Sequence, residues 1–316
     1  MNWKWHGLLI LSLAFKYDDN MPYKTLLLDL PSIYYRAFYA LPESIVDTTG
    51  TPANAIRGSL SIISSIGAKF RINQIIAALD ADWRPDWRVK LIPEYKTHRV
   101  LSSPISSDEI ETPDSLTPQI PNLIEILSLL KVSMVSKPNY EADDCLASLS
   151  TDFQNCLIVT GDKDLLQLIR KKNVSVYLLS DKENPIWDYA RFVSHFKIKP
   201  EQYLEYSVLR GDPSDGLPGV SKVGQKTALK LIQEHGSIEN LLKHLSSIDQ
   251  DKLPVNQKNI LASQAYLKNA MKVSTAVNHL KLSIKSKKQN QKKLDSMASF
   301  FRIQQQVLQF QSHFHL

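Results

Sequence analysis

The chain has 316 residues, 43% of them hydrophobic, which is enough for one large domain or two smaller ones around a substantial core. Its only cysteines, Cys145 and Cys156, lie in apolar surroundings, which excludes a disulfide framework and a CxxC zinc site and makes a reducing cytoplasm the expected compartment. The formal charge of +6 and pI near 9.0 suit a partner carrying phosphates, although ribosomal and membrane-surface proteins share that balance.

Residues 1–20 hold Lys4 and then GLLILSLAF (7–15), which resembles a signal-peptide core. No small-residue cleavage pattern follows, and the run is far too short to span a bilayer. The expectation is an unstructured extension over 1–20, a natural start at Met21 and no membrane association. TLLLDL (25–30) reads as a buried strand, and IYYRAFYA (33–40) is an aromatic segment carrying one cation, Arg36. Helical spacing runs over 52–70 through Ile56, Leu60, Ile63 and Ile66. IIAAL (75–79) is a second strand ending at Asp80, and helical spacing returns at Ile120, Leu123, Leu127 and Leu130. Residues 131–136 form a third, weaker strand; a helix from Glu141 buries Leu146, Leu149 and Phe153. CLIVT (156–160) is a fourth strand, ending at Gly161 and Asp162, and 174–179 is a fifth. Strands alternating with helices predict an α/β fold with a mostly parallel sheet covered on both faces.

Past residue 179 the character changes. Residues 201–209 read as a short helix, and LRGDPSDGLPGV (209–220) is a glycine- and proline-rich loop. With Gly224 as the turn, residues 216–236 read as two helices joined by a tight glycine hairpin, an arrangement that presents backbone N–H groups to phosphate. Residues 265–316 are Lys-rich. Lys285, Lys287, Lys288, Lys292 and Lys293 read as a solvated linker, with DNA contact the minority reading, and Leu308 and Phe310 as part of a last helix packing back.

The acids carry the chemistry. Asp29, Asp80 and Asp162 each fall just past the C-terminal end of a strand, the edge at which open parallel sheets bind ligands. One such Asp reads as a solvated turn residue; three coinciding do not. YEADD (140–144) adds Glu141, Asp143 and Asp144 within four residues, and TGDKD (160–164) and GDPSD (211–215) add more. Acids so crowded repel one another unless something positive sits between them, so the three motifs read as walls of one metal site. In mid-helix Asp143 would point about 200° around the axis from Glu141. Both can face one ion only at a helix entrance, where the dipole also tolerates acids. Oxygen donors without His or Cys select hard ions such as Mg²⁺ or Mn²⁺. Two of them about 3.5–4 Å apart would clamp an in-line displacement at phosphorus, giving phosphodiester hydrolysis. RPDWRVKLIPEYKTHR (84–99) sets five cations (Arg84, Arg88, Lys90, Lys96, Arg99) against two acids (Asp86, Glu94), with Trp87 and Tyr95 interleaved. This segment opens a connection long for a compact α/β unit. An ordinary surface loop is the bland reading; beside the acids, it reads as a clamp for a substrate strand.

Together LLLDLPSIYYRAFYALP (26–42), ALDAD (78–82), YKTHR (95–99), YEADD, TGDKDLLQLI (160–169) and LRGDPSDGLPGVSKVGQKTA (209–228) resemble the 5′-nuclease family, which includes flap endonucleases and the N-terminal 5′→3′ exonuclease domain of bacterial DNA polymerase I. The resemblance covers about 22–310 and implies a PIN-like α/β nuclease domain over 21–185 with a helical arch at 84–118, then a helical DNA-binding subdomain over 186–316 with a helix–three-turn–helix element at 209–236. It implies a first metal site of Asp29, Asp80, Glu141 and Asp143, assisted by Asp144. Asp162, Asp164, Asp212 and Asp215 would build a second, with Asp143 shared. Lys96 and Arg99 would steer the scissile phosphate, and Arg36, Arg88 and Tyr95 would contact DNA. Gly219, Gly224, Lys226 and Thr227 would lie near the duplex backbone, where a K⁺ ion can bridge the hairpin to DNA. Gly216 stands where many relatives carry asparagine, a departure expected to affect loop geometry more than ligation.

The expected protein is a free-standing, monomeric, two-metal 5′→3′ exonuclease and flap endonuclease acting on DNA and RNA primers, with a DNA polymerase as a partner. A PIN-like ribonuclease would share the acidic floor, but it is usually shorter and lacks the glycine hairpin. A non-catalytic helix-hairpin-helix module would leave nine clustered acids unexplained.

Overall fold

The computed structural model of the chain describes residues 23–99, 114–170 and 174–314. The expectations for residues 1–20 and for arch residues 100–113 lie outside these. In chain order the elements are β1 (Thr25–Asp29), α1 (Leu30–Ala40), α2 (Asn54–Gly67), β2 (Gln74–Ala78), α3 (Asp86–Leu91), α4 (Gln119–Leu129), β3 (Ser133–Val135), α5 (Ala142–Asp152), β4 (Cys156–Thr160), β5 (Val174–Leu178) and β6 (Ile186–Trp187). Helices alone follow: α6 (Tyr189–Phe196), α7 (Tyr203–Arg210), α8 (Gln225–His235), α9 (Ile238–Ser246), α10 (Val255–Ala262), α11 (Gln264–Ser274), α12 (Gln291–Phe300) and α13 (Gln304–His313).

The sheet order is β3-β2-β1-β4-β5-β6, parallel throughout except for β6. Continuous apolar runs make these strands because both faces are covered. Leu27, Ile76 and Ile158 point into one core, filled by α5 and the helices α6 to α11. Leu26, Leu28, Ile75, Leu157 and Val159 point into the other, filled by α1, α2, α4, α12 and α13. The chain leaves β1 toward β2 on one side and β4 on the other, so the order reverses there. That reversal opens a crevice beyond the carboxyl ends of β1 and β4. Register sets the ends level: Asp29 lies opposite Ala78, and Leu28 opposite Val159, one residue before Thr160.

Three expectations need correction. The third strand is only three residues long, because the chain between α4 and α5 pairs with β2 at Ser133–Val135 and nowhere else. Residues 216–236 contain one helix, α8, rather than two; the helix before the glycine loop is α7, which packs against α8 through Leu209, Ala228 and Ile232. The lysines after residue 280 do not form a free linker. Met134 and Lys285 exchange backbone hydrogen bonds of 2.8 and 2.9 Å, so the strap between α11 and α12 docks on the sheet edge. Lys287 and Lys293 both pair with Glu125 on α4. Beyond the strap, Phe310 and Phe314 enter the second core, while Leu308 on the opposite face of α13 stays exposed.

Candidate active site

The crevice is a cavity of about 800 Å³ lined by Asp29, Asp80, Glu141, Asp143, Asp162 and Asp212, with Lys96 and Arg99 at its wall. Beneath it a pocket of about 20 Å³ is lined by Glu141, Asp143, Asp162, Asp164 and Asp215. That volume suffices for one ion or one water. Eight of the nine acids expected at the site therefore meet around two spaces that share Glu141, Asp143 and Asp162 in their walls, while Asp144 lines neither.

Each acid is held by the element that delivers it. Asp29 ends β1 and caps α1: it accepts the N–H (3.2 Å) and hydroxyl (2.5 Å) of Ser32 and, across the crevice, the hydroxyl of Thr160 (2.6 Å). Asp80 follows β2 and accepts the N–H of Ala142 (2.8 Å), joining the second strand to the entrance of α5. Glu141 is the N-cap of α5, with Asp143 and Asp144 in its first turn, the helix entrance that the spacing requires. Asp162 follows β4 and accepts the N–H of Asp164 (2.7 Å); Asp164 in turn accepts the hydroxyl of Ser207 on α7 (3.3 Å). Asp212 folds its own turn by accepting the N–H and hydroxyl of Ser214 (2.8 and 2.5 Å), and Asp215 accepts a guanidinium hydrogen from Arg99 (3.0 Å). Among the described residues, Asp143 accepts no protein hydrogen bond. Its carboxylate is the one left over for a ligand.

The crowding shows in the proton affinities. Burial, then the charges of Asp29, Asp162 and Glu141, pushes Asp143 well above the usual carboxylate range. Burial and the charges of Asp162, Asp212 and Asp215 do the same to Asp164. Asp162 is pushed up to about 6 by burial and Asp215. Asp80 keeps part of its surface in solvent, but the protein packed around its carboxyl, then the charge of Glu141, pushes it up to about 6. Asp29 and Asp215 are raised by burial. Glu141 goes the other way: burial opposes its charge, but Lys96 and Arg88 hold it below its ordinary value.

Lys96 explains much of this. Its ammonium is buried against Glu141 Oε2 and lowers the proton affinity of Asp29, Asp80, Asp143, Asp162 and Asp215 as well. It stands where a cation is required. Its backbone is left-handed, with φ 52°, which costs a non-glycine residue on the order of 1 kcal/mol. The conformation is held by the Lys96 N–H donating to the Asp215 carbonyl (3.0 Å) and by Gly216 lying under the Glu94 carbonyl. Arg99 donates to the Ser214 carbonyl (2.7 Å). Both cations are thus stitched to the loop that bears Asp212 and Asp215.

Among the described residues, no three carboxylate, His or Cys side chains are disposed as a preformed metal cage. The donor set nevertheless fits hard cations. It is all oxygen, one member lacks a partner, and its shared charge is only partly met by Lys96. The second sphere corrects several expectations. Asp144 is 0% exposed and saturated by Arg88 and two backbone N–H groups, which leaves no lone pair for an ion. Arg88 (3% exposed) and Tyr95 (3%) are interior groups that donate to Glu141 (2.9 and 2.8 Å), not surface contacts for DNA. Gly219 is needed for its φ of 70° and its close approach to the Arg210 carbonyl, and its N–H donates to Tyr266 (2.9 Å) rather than standing free. Gly224 does lie in open space at the uncapped start of α8, with Lys226 exposed and Thr227 half-buried beside it. Arg36 is half-buried on α1 and, among the described residues, makes no hydrogen bond or ion pair. The sequence reading missed Ser32, Thr160 and Lys163. A hydroxyl three residues after Asp29 and the first residue of TGDKD were the available signals for the first two.

Comparison with known proteins agrees with this geometry. Residues 24–197 match the family described as 5′-3′ exonuclease, N-terminal resolvase-like domain, and residues 198–306 match 5′-3′ exonuclease, C-terminal SAM fold. The chain is 38% identical over 253 residues to a 5′-3′ exonuclease of Streptomyces coelicolor, covering 78% of this chain and 84% of that one. It is 34% identical over 241 residues to DNA polymerase I of Mycobacterium bovis, covering 73% of this chain but 25% of the polymerase. Its fold is similar to that of the bacteriophage T5 flap endonuclease in a complex with DNA and metal ions (TM-score 0.62, 16% identity, 92% of this chain and 97% of that one).

Proposed function

The chain belongs to the 5′-3′ exonuclease family, and we propose from that premise that it hydrolyses DNA phosphodiester bonds in the 5′→3′ direction and at 5′ flaps, RNA primers included. The observation that carries the mechanism is the meeting of eight carboxylates, from five separate segments, at the carboxyl edge of the sheet. Asp29, Asp80, Glu141 and Asp143 would hold one divalent ion, Mg²⁺ or Mn²⁺; Asp162, Asp164, Asp212 and Asp215, with Asp143 shared, would hold a second. Bound there, such ions supply an activated water and charge neutralisation at the leaving oxygen. Lys96 and Arg99 contribute fixed positive charge at the wall of the cavity, where a phosphate entering between the arch base and the acid floor would meet them. Ser32 and Thr160 keep Asp29 oriented. The free N-terminus of α8, with Gly224, Lys226 and Thr227, suits a duplex phosphate and a K⁺ ion between hairpin and DNA. Arg36 extends the basic border on the side of α1. A monomer working in the cytoplasm beside a DNA polymerase completes the reading. Among the described residues no helix is long and apolar enough to cross a membrane.

The test is a 5′-flap duplex labelled at its 5′ end, incubated with Mg²⁺ or with EDTA. Cleavage near the junction should require the ion. Asp143→Asn should lose activity by orders of magnitude while keeping its circular dichroism spectrum. Cleavage in EDTA, or a fully active Asp143→Asn, would end the metal assignment.

A further inference from the structure

Arg88 sits where no phosphate can reach it. Its Nε donates to the Val273 carbonyl at the end of α11 (2.9 Å), and its Nη1 to Glu141 Oε1 (2.9 Å) and Asp144 Oδ2 (2.9 Å). Nη2 donates to Asp144 Oδ1 (2.8 Å), and the guanidinium carbon lies 4.6 Å from the centre of the Trp87 ring. Asp144 also accepts the N–H groups of Glu141 (3.1 Å) and of Val277 on the strap (2.8 Å). Two cations, Arg88 and Lys96, therefore balance two anions, Glu141 and Asp144, inside the protein.

From this geometry we infer that Arg88 and Asp144 are positioning residues for Glu141. Arg88 and the Tyr95 hydroxyl hold Oε1 of Glu141 from the side of the lower pocket and Lys96 holds Oε2 from the side of the larger cavity, so that carboxylate cannot rotate. The planar fork of arginine makes the arrangement possible: it grips Asp144 with two nitrogens while spending a third contact on Glu141 and a fourth on Val273, which a lysine ammonium cannot reproduce. The same network links α3, at the base of the arch, to the entrance of α5, to α11 and to the strap. A shift of the helices that follow residue 189 would therefore be felt at Glu141. This inference rests on the reading of Glu141 as a ligand of a divalent ion.

The experiment compares Arg88→Met/Asp144→Leu, Arg88→Lys and Asp143→Asn in the full chain. The double variant replaces the buried pair with apolar groups, a change that folded proteins tolerate better than loss of one partner. Three readouts are taken: Mn²⁺ affinity without DNA, kcat and KM on the flap duplex, and the salt dependence of DNA affinity in EDTA. Loss of positioning should weaken Mn²⁺ binding about 10–100-fold and lower kcat similarly, with KM little changed. The salt slope should stay that of the wild type. A slope flattened by about one unit would instead make Arg88 a phosphate contact and overturn the inference. So would wild-type Mn²⁺ affinity and kcat in the folded double variant. Arg88→Lys, which keeps the buried charge but not the fork, carries the same test should the double variant fail to fold. If Asp143→Asn also leaves Mn²⁺ binding intact, the metal reading itself fails; if it abolishes binding while the Arg88 variants do not, the positioning role alone is wrong.

Discussion

At the scale of single residues, the site is governed by how one ammonium serves many carboxylates. Lys96 is paired with Glu141 and lies within electrostatic reach of five further acids. Lys96→Ala removes the internal counter-ion of the acids and, on the proposed mechanism, the charge that meets the substrate phosphate. Turnover should fall about 10²–10³-fold, the cost of deleting one preorganised electrostatic group. Without divalent ions the variant should also melt below the wild type, because Glu141 would be left buried beside fewer cations; with saturating Mg²⁺ the difference should shrink. Steady-state kinetics and thermal melts with and without EDTA measure both effects, and unchanged turnover would remove Lys96 from the mechanism. The acids that line the two cavities were legible from sequence because they fall at strand ends and cluster in short motifs. Asp144 and Arg88 were not. A buried paired acid and a ligating acid look identical in EADD, and the partner that distinguishes them lies 56 residues away.

At the scale of elements, the decisive junction is between the segment bearing Glu94 and Lys96 and the loop bearing Asp212 and Asp215. Gly216 adopts φ 72°, and a Cβ there would lie 2.3 Å from the Glu94 carbonyl oxygen. Gly216→Ala must push the Glu94–Lys96 segment away from the loop, breaking the Lys96 N–H bond to Asp215 that holds the left-handed turn. The strain should cost about 1–3 kcal/mol of stability. The larger effect should fall on kcat, since Lys96 and Arg99 both move; a variant with wild-type kcat would show that the junction does not position them. Asparagine, which also tolerates positive φ, would still bring a Cβ against Glu94, so this chain depends on glycine here. Elements with strong apolar patterns were readable in advance: β1, β2 and β4 follow from short apolar runs buried on both faces, and β5 (VSVYL) from its β-branched and aromatic residues. The strap was not, because it is bound by backbone pairing to the β3 edge, which leaves no side-chain period. The two-residue β6 is too short to carry one.

At the scale of the whole molecule, a basic chain of +6 encloses an acidic floor, and outside the eight acids that line it the excess of Lys and Arg is larger still. The two cores press α5 and α1 onto opposite faces of the sheet and so fix the acids at close quarters whether or not an ion is present. The linkage to pH has a definite sign. For Asp80 and Asp162 the folded values, about 6, exceed the ordinary 3.8, and Asp143 and Asp164 are also raised well above it. Between about pH 4 and 6 the folded state therefore binds more protons than the unfolded state, and its stability falls as pH rises through that window. Glu141, held below its ordinary value, works oppositely, but its contribution is lost only toward more acidic pH. In EDTA the melting temperature should accordingly be lower at pH 7.5 than at pH 5. Divalent ions compete with those same protons, so Mg²⁺ or Mn²⁺ should raise the melting temperature little at pH 5 and substantially at pH 7.5. Thermal melts across this grid of pH and metal decide the matter. A melting temperature in EDTA that climbs from pH 5 to 7.5 would mean that the acids do not share one crowded floor. A metal-induced gain independent of pH would mean that the ion binds elsewhere.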